Sequence, residues 1–389
     1  MERVFNVSTY TYTTNKYIHE IMKCTLLKEI FEDCLALSSK FVSYRVSSVQ
    51  SIQGAKLETK KNTLTITTTN LGDSFYTEIS AHVLEEGMVV FDLKKALEFL
   101  NFLPLGEIEI SLEDTQVKIS QGKTHGYFNI YPVGDFPELP ILEGKTFPLN
   151  QQLLEKLPQV YFAASKDETR PVMTGVYMNA LNESSLFVST DGFRLSLLKV
   201  NLQEKFPKTI LPATIFQEIV RLSKRGDAVS MMLSPEDRLV KFTIGKVLIY
   251  SRVIEGDFPP YEKVVPKSTG TSITLDPHDF LKNIRLISVF ARDDADVVVF
   301  DIAKKGMVMK PKAARQKNSE VFQNVESFSG DQLKIAFNYK YILDFLNTVS
   351  ADQIILECTT PTAPGVFKVS NNEEFLHIIM PLRTEETTE

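Results

Sequence analysis

Gly134-Asp135-Phe136-Pro137 returns as Gly256-Asp257-Phe258-Pro259, 122 residues further along the chain. A turn motif that comes back at a fixed step points to an internal repeat, and a repeat decides the fold before any single helix or strand does. Helical segments keep a similar step: Leu27, Leu154 and Leu281 stand 127 apart, with Ile30, Leu157 and Ile284 one turn later. A second amphipathic helix recurs at Leu97, Ile219 and Leu343, followed at i+3 by Leu100, Leu222 and Leu346. Strand-like runs follow each second helix, at Glu107–Ile110, Val229–Leu233 and Ile354–Leu356, then at Val117–Ile119, Val240–Ile244 and Val366–Val369. Alternation at Leu64–Thr67, Leu186–Val188 and Val297–Val299 places strands between the two helices as well. Hairpin-length spacing favours antiparallel sheets, so the reading is α+β, with three similar domains of about 120 residues. The boundaries fall in the Pro- and Gly-containing stretches near Pro140–Lys145 and Pro266–Gly270, giving residues 1–143, 144–267 and 268–384 with an acidic tail at 385–389.

Forty-three Lys and Arg against 49 Asp and Glu leave a formal charge of −6 over 389 residues. That balance excludes wholesale electrostatic wrapping of nucleic acid, so any such role rests on a local basic surface. A hydrophobic content of 43% with 24% charged residues excludes global disorder. Cys24, Cys34 and Cys358 show no CxxC spacing, which argues against a disulfide framework or a thiolate zinc site and fits a reducing cytoplasm. No apolar run reaches the roughly 18 residues of a membrane span, and the start of the chain lacks a signal-peptide core. The expectation is a soluble, unexported protein.

No catalytic constellation stands out: P-loop, GxGxxG, HExxH and GxSxG are all missing, and His19, His82, His125, His278 and His377 are scattered. No cofactor or metal is expected. Asp293, Asp294 and Asp296 offer a metal-dependent nuclease reading, but carboxylates in a short helix-to-strand loop are more often a solvated turn. Positive charge is concentrated in Lys304, Lys305, Lys310, Lys312, Arg315 and Lys317, with no acid between Asp301 and Glu320. Such a run either tracks phosphates or forms a solvated loop. Lys94 and Lys95, then Arg221, Lys224 and Arg225, then Lys340 fall in or beside the second helix of each third, so a common surface lined with cations is expected. Thr190-Asp191-Gly192-Phe193-Arg194-Leu195 reads as a tight strand-to-strand turn, and Leu376–Arg383 as an apolar strand stopped by Pro381.

These last residues carry a resemblance. Thr190–Leu195, Arg252–Tyr261 with Val264 and Pro266, Phe337-Asn338 with Tyr341–Leu343, and Met380-Pro381-Leu382-Arg383 are similar to motifs of the bacterial sliding clamps, the DNA polymerase III beta subunit family. With the three-unit plan, the resemblance covers about residues 18 to 384. It implies the DNA clamp fold, with helices inside and antiparallel sheets outside, closed into a ring as a head-to-tail homodimer. The implied function is a non-catalytic processivity factor that encircles double-stranded DNA without sequence specificity. It tethers the replicative polymerase alpha subunit, the clamp loader and other replication and repair proteins through short peptide motifs. The alternative is a scaffold that binds proteins without encircling DNA. The implied location is cytoplasmic, on the nucleoid.

Carried over by motif, the peptide-binding residues are Met173, Thr190, Gly192, Phe193, Arg194, Leu195, Pro259, Lys263, Val264, Ile378, Ile379, Met380, Pro381, Leu382 and Arg383. Lys94, Lys95, Arg221, Lys224, Arg225 and Lys340 are the implied DNA contacts, and Phe128 and Phe290 the implied dimer contacts. The chain departs from the family in its N-terminal extension and its acidic tail. Lys263 stands where relatives often have Arg, which trades a planar fork for a point charge. Pro171 and Val172 stand where some relatives carry two aromatic residues on a loop that touches single-stranded DNA.

Overall fold

Asp92, Asn150, Asp276 and Asn338 each turn the chain from extended backbone into a helix, their side-chain oxygens accepting from backbone N–H groups one turn in. They mark the starts of four helices in a computed structural model that describes residues 21–43, 49–181, 184–201, 205–293, 295–312, 319–370 and 372–384. The first repeat runs Lys23–Leu27 (β1), helix Lys28–Ser38 (α1), Ala55–Lys60 (β2), Thr63–Thr69 (β3), Asp73–Ser80 (β4), His82–Glu85 (β5), Gly87–Phe91 (β6), helix Leu93–Phe102 (α2), Glu107–Glu113 (β7), Gln116–Gln121 (β8) and Thr124–Tyr131 (β9). The second runs Thr146–Leu149 (β10), helices Gln151–Lys156 (α3) and Pro158–Tyr161 (α4), Gly175–Ala180 (β11), Ser185–Thr190 (β12), Arg194–Val200 (β13), Thr209–Pro212 (β14), helix Ala213–Ser223 (α5), Val229–Ser234 (β15), Leu239–Ile244 (β16) and Val247–Arg252 (β17). The third runs Thr271–Leu275 (β18), helix Pro277–Ala291 (α6), Val297–Ala303 (β19), Gly306–Pro311 (β20), Val321–Gln323 (β21), Ser327–Ser329 (β22), Leu333–Asn338 (β23), helix Tyr339–Thr348 (α7), Ile354–Cys358 (β24), Gly365–Val369 (β25) and Asn372–Ile379 (β26).

One plan underlies all three. An opening strand pairs with the first strand after the second helix (β1 with β7, β10 with β15, β18 with β24), and a return strand pairs back onto the strand after the first helix (β6 on β2, β14 on β11, β23 on β19). All these pairings are antiparallel. The chain divides into two compact units, one reaching to Pro140 and including Lys246–Ile249, the other taking Ile141–Gly245 and everything from Tyr250. In the second unit, β14-β11-β12-β13-β26-β25-β24-β18-β22 form one continuous sheet that carries strands of both the second and third repeats.

Apolar periodicity sets the helix faces, but the step differs from the sequence reading in the first repeat. Leu27 ends β1 and Ile30 faces outward, 47% and 44% exposed. The residues that fill the core are Phe31 and Leu35, which stand 122 before Leu153 and Leu157, and these in turn stand 127 before Phe280 and Ile284. All six are buried. The first repeat thus keeps the step of the Gly-Asp-Phe-Pro loops, and Leu27 and Ile30 matched by coincidence of amphipathic pattern. In the second unit, the rings of Phe280, Phe300, Phe337, Phe367, Phe345 and His377 follow one another at centroid distances of 5.2 to 6.1 Å, a continuous aromatic core under the shared sheet. Among the described residues no helix is long and apolar enough to cross a membrane.

Candidate functional site

The Thr190–Leu195 turn is held by its own side chains. Asp191 Oδ1 accepts from the backbone N–H of Phe193 and of Arg194 at 2.9 Å, Thr190 Oγ1 accepts from the Gly192 N–H at 3.0 Å, and Gly192 takes φ of +91°, where a Cβ would be strained. Arg194 leaves this turn buried and fully engaged. Its Nε donates to Asp191 at 3.1 Å, Nη1 to Asp344 on α7 at 2.6 Å and Nη2 to the Phe162 carbonyl at 3.2 Å. Its guanidinium also stacks on the rings of Tyr341 and Phe162. This cation ties the second repeat's turn to the third repeat's helix, with Nε, Nη1 and Nη2 each already donating to a protein oxygen.

Beside the turn, β13 pairs with β26 with Leu195 opposite Ile378 and Arg194 opposite Ile379. Side chains alternate across a sheet, so Leu195 and Ile378 share one face. On that face a cavity of about 270 Å³ opens. Met173, Thr190, Gly192, Arg194, Leu195, Pro259, Lys263, Val264, Ile378 and Met380 of the motif-derived set line it, together with Pro260 and Tyr261. The last two were quoted in the Arg252–Tyr261 motif but not placed in the site; the two consecutive prolines lead from the loop after β17 into the short turn Tyr261–Lys263, and residues 259 to 261 form one wall. Tyr261 packs near Tyr177, which stacks on Phe258 at 5.1 Å, and burial pushes the Tyr261 hydroxyl pKa upward.

Five of the motif-derived residues lie off the cavity wall. Ile379 is turned by the strand alternation to the helix side and is fully buried. Leu382 donates its N–H to the Ala336 carbonyl at 2.8 Å and packs on Val297, Val299 and Ala336, a separate apolar cluster. Phe193 is exposed, its carbonyl accepting from the Met380 N–H at 2.8 Å. Pro381 and Arg383 continue past the strand end outside the cavity. Val172 packs against the cluster that includes Leu195 and Ile378, so this side chain is structural rather than a displayed contact.

Behind the cavity, His377 is wholly buried. Its Nδ1 meets Ser196 Oγ at 2.8 Å, its ring lies against Phe345, Phe162 and Phe367, and Nε2 has no partner among the described residues. Burial, reinforced by the Arg194 charge, holds its pKa well below the usual 6.5. Below that usual value the unfolded chain takes up a proton that the folded chain refuses, so stability present at neutral pH is lost as pH falls. A His377→Gln variant is expected to lose stability less steeply than the parent as pH falls below about 6.5. Equal slopes in urea titrations of the two proteins would assign the acid sensitivity to carboxylates instead.

The basic residues do not sit in one register. Lys94 and Lys340 occupy the same position, the second residue of α2 and α7, and Lys95 follows Lys94; Arg221, Lys224 and Arg225 lie at or beyond the opposite end of α5. A cation in the first turn opposes the helix dipole, whereas one at the last turn is favoured by it. Helix stability therefore accounts for the α5 cluster but not for Lys94, Lys95 and Lys340. Arg221 pairs with Glu218 at 2.7 Å and Lys340 with Asp296 at 2.6 Å, exposed pairs that a phosphate displaces at little cost. Asp296, whose pKa that ammonium lowers, is thereby a helix-to-strand anchor, and Asp294 lies outside the described residues. Lys304 and Lys305 occupy the exposed β19–β20 turn, Lys310 pairs with Glu320 at 3.3 Å, and Arg315 and Lys317 lie outside the described residues. Phe290 is 38% exposed on α6 beside Leu286 and Val289, whereas Phe128 is 5% exposed and packs on Phe99 in the first unit's core. Burial raises the Cys24 and Cys358 thiols to about 12, leaving them protonated.

Models of the DNA polymerase III beta subunit match the chain in all three parts: the N-terminal domain at residues 22–140, the central domain at 148–260 and the C-terminal domain at 262–383. The chain belongs to the DNA polymerase III beta subunit family. Its function is that of a DNA sliding clamp, a processivity factor of DNA replication rather than a catalyst. The beta sliding clamp of Halalkalibacterium halodurans is 27% identical over 375 residues, covering 92% of this chain and 98% of that one. That of Bacillus subtilis is 26% identical over 309 residues, covering 77% and 81%. In fold, the chain matches a Bartonella birtlesii sliding clamp solved with griselimycin (TM-score 0.87, 24% identity, 94% of this chain and 100% of that one). It also matches the Thermotoga maritima beta subunit (TM-score 0.85, 24% identity, 93% and 99%). The sliding clamp architecture of three repeated domains with antiparallel sheets follows from both comparisons.

Proposed function

We propose that the cavity beside β13 and β26 is the tethering site of this clamp, and that two copies close head to tail into a ring around duplex DNA. The observation that carries the tethering reading is the apolar cavity itself, with walls contributed by two repeats through one pair of strands, Leu195 opposite Ile378. An apolar groove with a few polar groups suits an extended peptide with Leu or Phe anchors, such as the polymerase alpha subunit, the clamp loader and other replication and repair proteins would supply. Val264, Met380 and Met173 receive the anchors; Lys263 is the cation at the rim, and Arg194 positions the wall rather than the ligand.

The ring reading is supported by the join inside the second unit. There β13, third strand of its meander, pairs with β26, last strand of the next repeat. The equivalents are β21 in the third repeat and β9 in the first. Among the described residues β21 is the edge of its sheet, and Thr124–Phe128 of β9 has a strand partner, β8, on one side only. Two such edges on one chain form a heterologous pair that closes as a ring. Phe290 borders this junction, while Phe128 supports it from within the core. Domain boundaries at 143/144 and 267/268, and a cytoplasmic location on the nucleoid, belong to the same reading.

Lys94, Lys95, Arg221, Lys224, Arg225 and Lys340 are weak phosphate contacts, which leave the ring free to slide. Loaded on nicked circular DNA, the protein is expected to be retained through gel filtration and lost once the circle is cut. Reversing the charge of Lys94, Lys95 and Lys340 together lowers loading and flattens its salt dependence. Equal retention on linear and circular DNA would favour the non-encircling scaffold.

A further inference from the structure

Helices α2 and α7 are both ten residues long, both start from an Asx cap, and correspond position for position at a step of 246 (Asp92 to Asn338). Phe99 thus matches Phe345, and the packing agrees: Phe99 lies on Phe128 at 5.6 Å as Phe345 lies on His377 at 5.2 Å. The same step matches Phe102 with Thr348. Phe102 is 90% exposed in the single chain, a large apolar side chain with nothing over it among the described residues.

At the join of the second and third repeats, the position of Thr348 is informative. Asn347 and Thr348 form one wall of a cleft of about 630 Å³ on the helix side of the sheet; Tyr161, Phe162 and Ser165 form another, and Pro212, Thr214 and Gln217 at the start of α5 a third. The cleft stays open where the short Thr348 stands. Resting on the head-to-tail reading, we propose that Phe102 plugs the corresponding cleft at the junction between subunits, reaching into the last repeat of the partner.

The receiving walls can be named from the step of 127 that superposes the buried positions Leu157 on Ile284, Val160 on Ile287 and Ala164 on Ala291. Val289 replaces Phe162 and Arg292 replaces Ser165. Val289 is 60% exposed in the single chain, so an apolar floor awaits cover, and Arg292 is an exposed cation placed to lie over a ring. The internal cleft has no aromatic plug and the intermolecular one does. An aromatic anchor in a pocket ringed by weaker contacts is the composition of an interface hot spot.

The chain contains no tryptophan, so Phe102→Trp supplies a single reporter. Its emission is expected at the wavelength of a buried indole above the dimer dissociation constant, moving to that of exposed indole on dilution or when Phe290→Asp is added. Phe102→Ser is expected to weaken the dimer on the order of tenfold or more by sedimentation equilibrium, with circular dichroism unchanged because the side chain is 90% exposed in the single chain. An indole that stays solvent-exposed in the dimer, or a Phe102→Ser dimer as tight as the parent, overturns the plug. If Phe290→Asp also leaves the dimer intact, the head-to-tail reading itself has failed; if Phe290→Asp separates the subunits and Phe102→Ser does not, only the plug has.

Discussion

Val264→Asp is expected to weaken binding of a Leu/Phe-bearing polymerase-tail peptide at least a hundredfold, with the fold and the dimer intact. Val264 follows the short turn Tyr261–Lys263 and faces the cavity over Leu195 and Ile378. It is only partly buried, so an aspartate there remains hydrated in the free protein. A bound peptide removes that water and sets an apolar anchor against the carboxylate, while Arg194 is committed to Asp191, Asp344 and the Phe162 carbonyl and Lys263 stands at the rim, where its ammonium stays hydrated. Leaving a charge desolvated without a partner costs about 3 kcal/mol or more, which is the hundredfold. Fluorescence anisotropy of a labelled peptide measures it; equal affinity in a folded Val264→Asp protein removes the cavity from consideration as the tether. A point change is a cleaner probe than cutting the chain at Met380, because the truncation also removes the Met380 to Phe193 and Leu382 to Ala336 backbone bonds and the Leu382 packing.

The cavity was legible because its walls are short motifs, each with its own local chemistry: an Asp-Gly turn, a Pro-Pro wall and a strand ended by proline. What the motifs could not convey is which way each side chain points. Ile379 sits one residue from the wall positions Ile378 and Met380, and a single step along a strand reverses the face, while Leu382 lies past the strand end and packs on Val297, Val299 and Ala336 instead. Arg194 was assigned to the ligand because a cation in a motif looks available; only the three-dimensional neighbours Asp344 and Phe162, distant in sequence, show it occupied. The repeat was legible from apolar periodicity, yet the offset was not, since Leu27 and Ile30 carry the same pattern as the true core residues Phe31 and Leu35 while facing outward. Charge was the weakest guide. Lys94 and Lys340 share one helical position, but the α5 cluster sits at the other helix end, where the dipole alone explains it.

Phe290→Asp is expected to turn the dimer into monomers across the low micromolar range and to abolish retention on circular DNA. Phe290 is 38% exposed, flanked by Leu286 and Val289 at 48% and 60%, so α6 presents an apolar stripe that the described residues leave uncovered. Covering an aromatic ring contributes about 2 kcal/mol or more, and a carboxylate trapped in the same place adds a desolvation cost of similar size. A closed head-to-tail ring contains the junction twice, so a loss of roughly a thousandfold at each compounds to about a millionfold for ring closure. The substitution leaves the repeat folded, because the buried face of α6 is carried by Phe280, Ile284, Ile287 and Ala291. Phe128 offers no such test: at 5% exposed and packed on Phe99, its replacement by aspartate attacks the first unit's core, so dissociation would not be distinguishable from unfolding. Peptide binding provides the internal control, since the cavity lies wholly within the second unit and a Phe290→Asp monomer should hold the labelled peptide as tightly as the parent. A Phe290→Asp protein that sediments as an unchanged dimer places the junction elsewhere; one that loses both dimer and peptide has lost its fold.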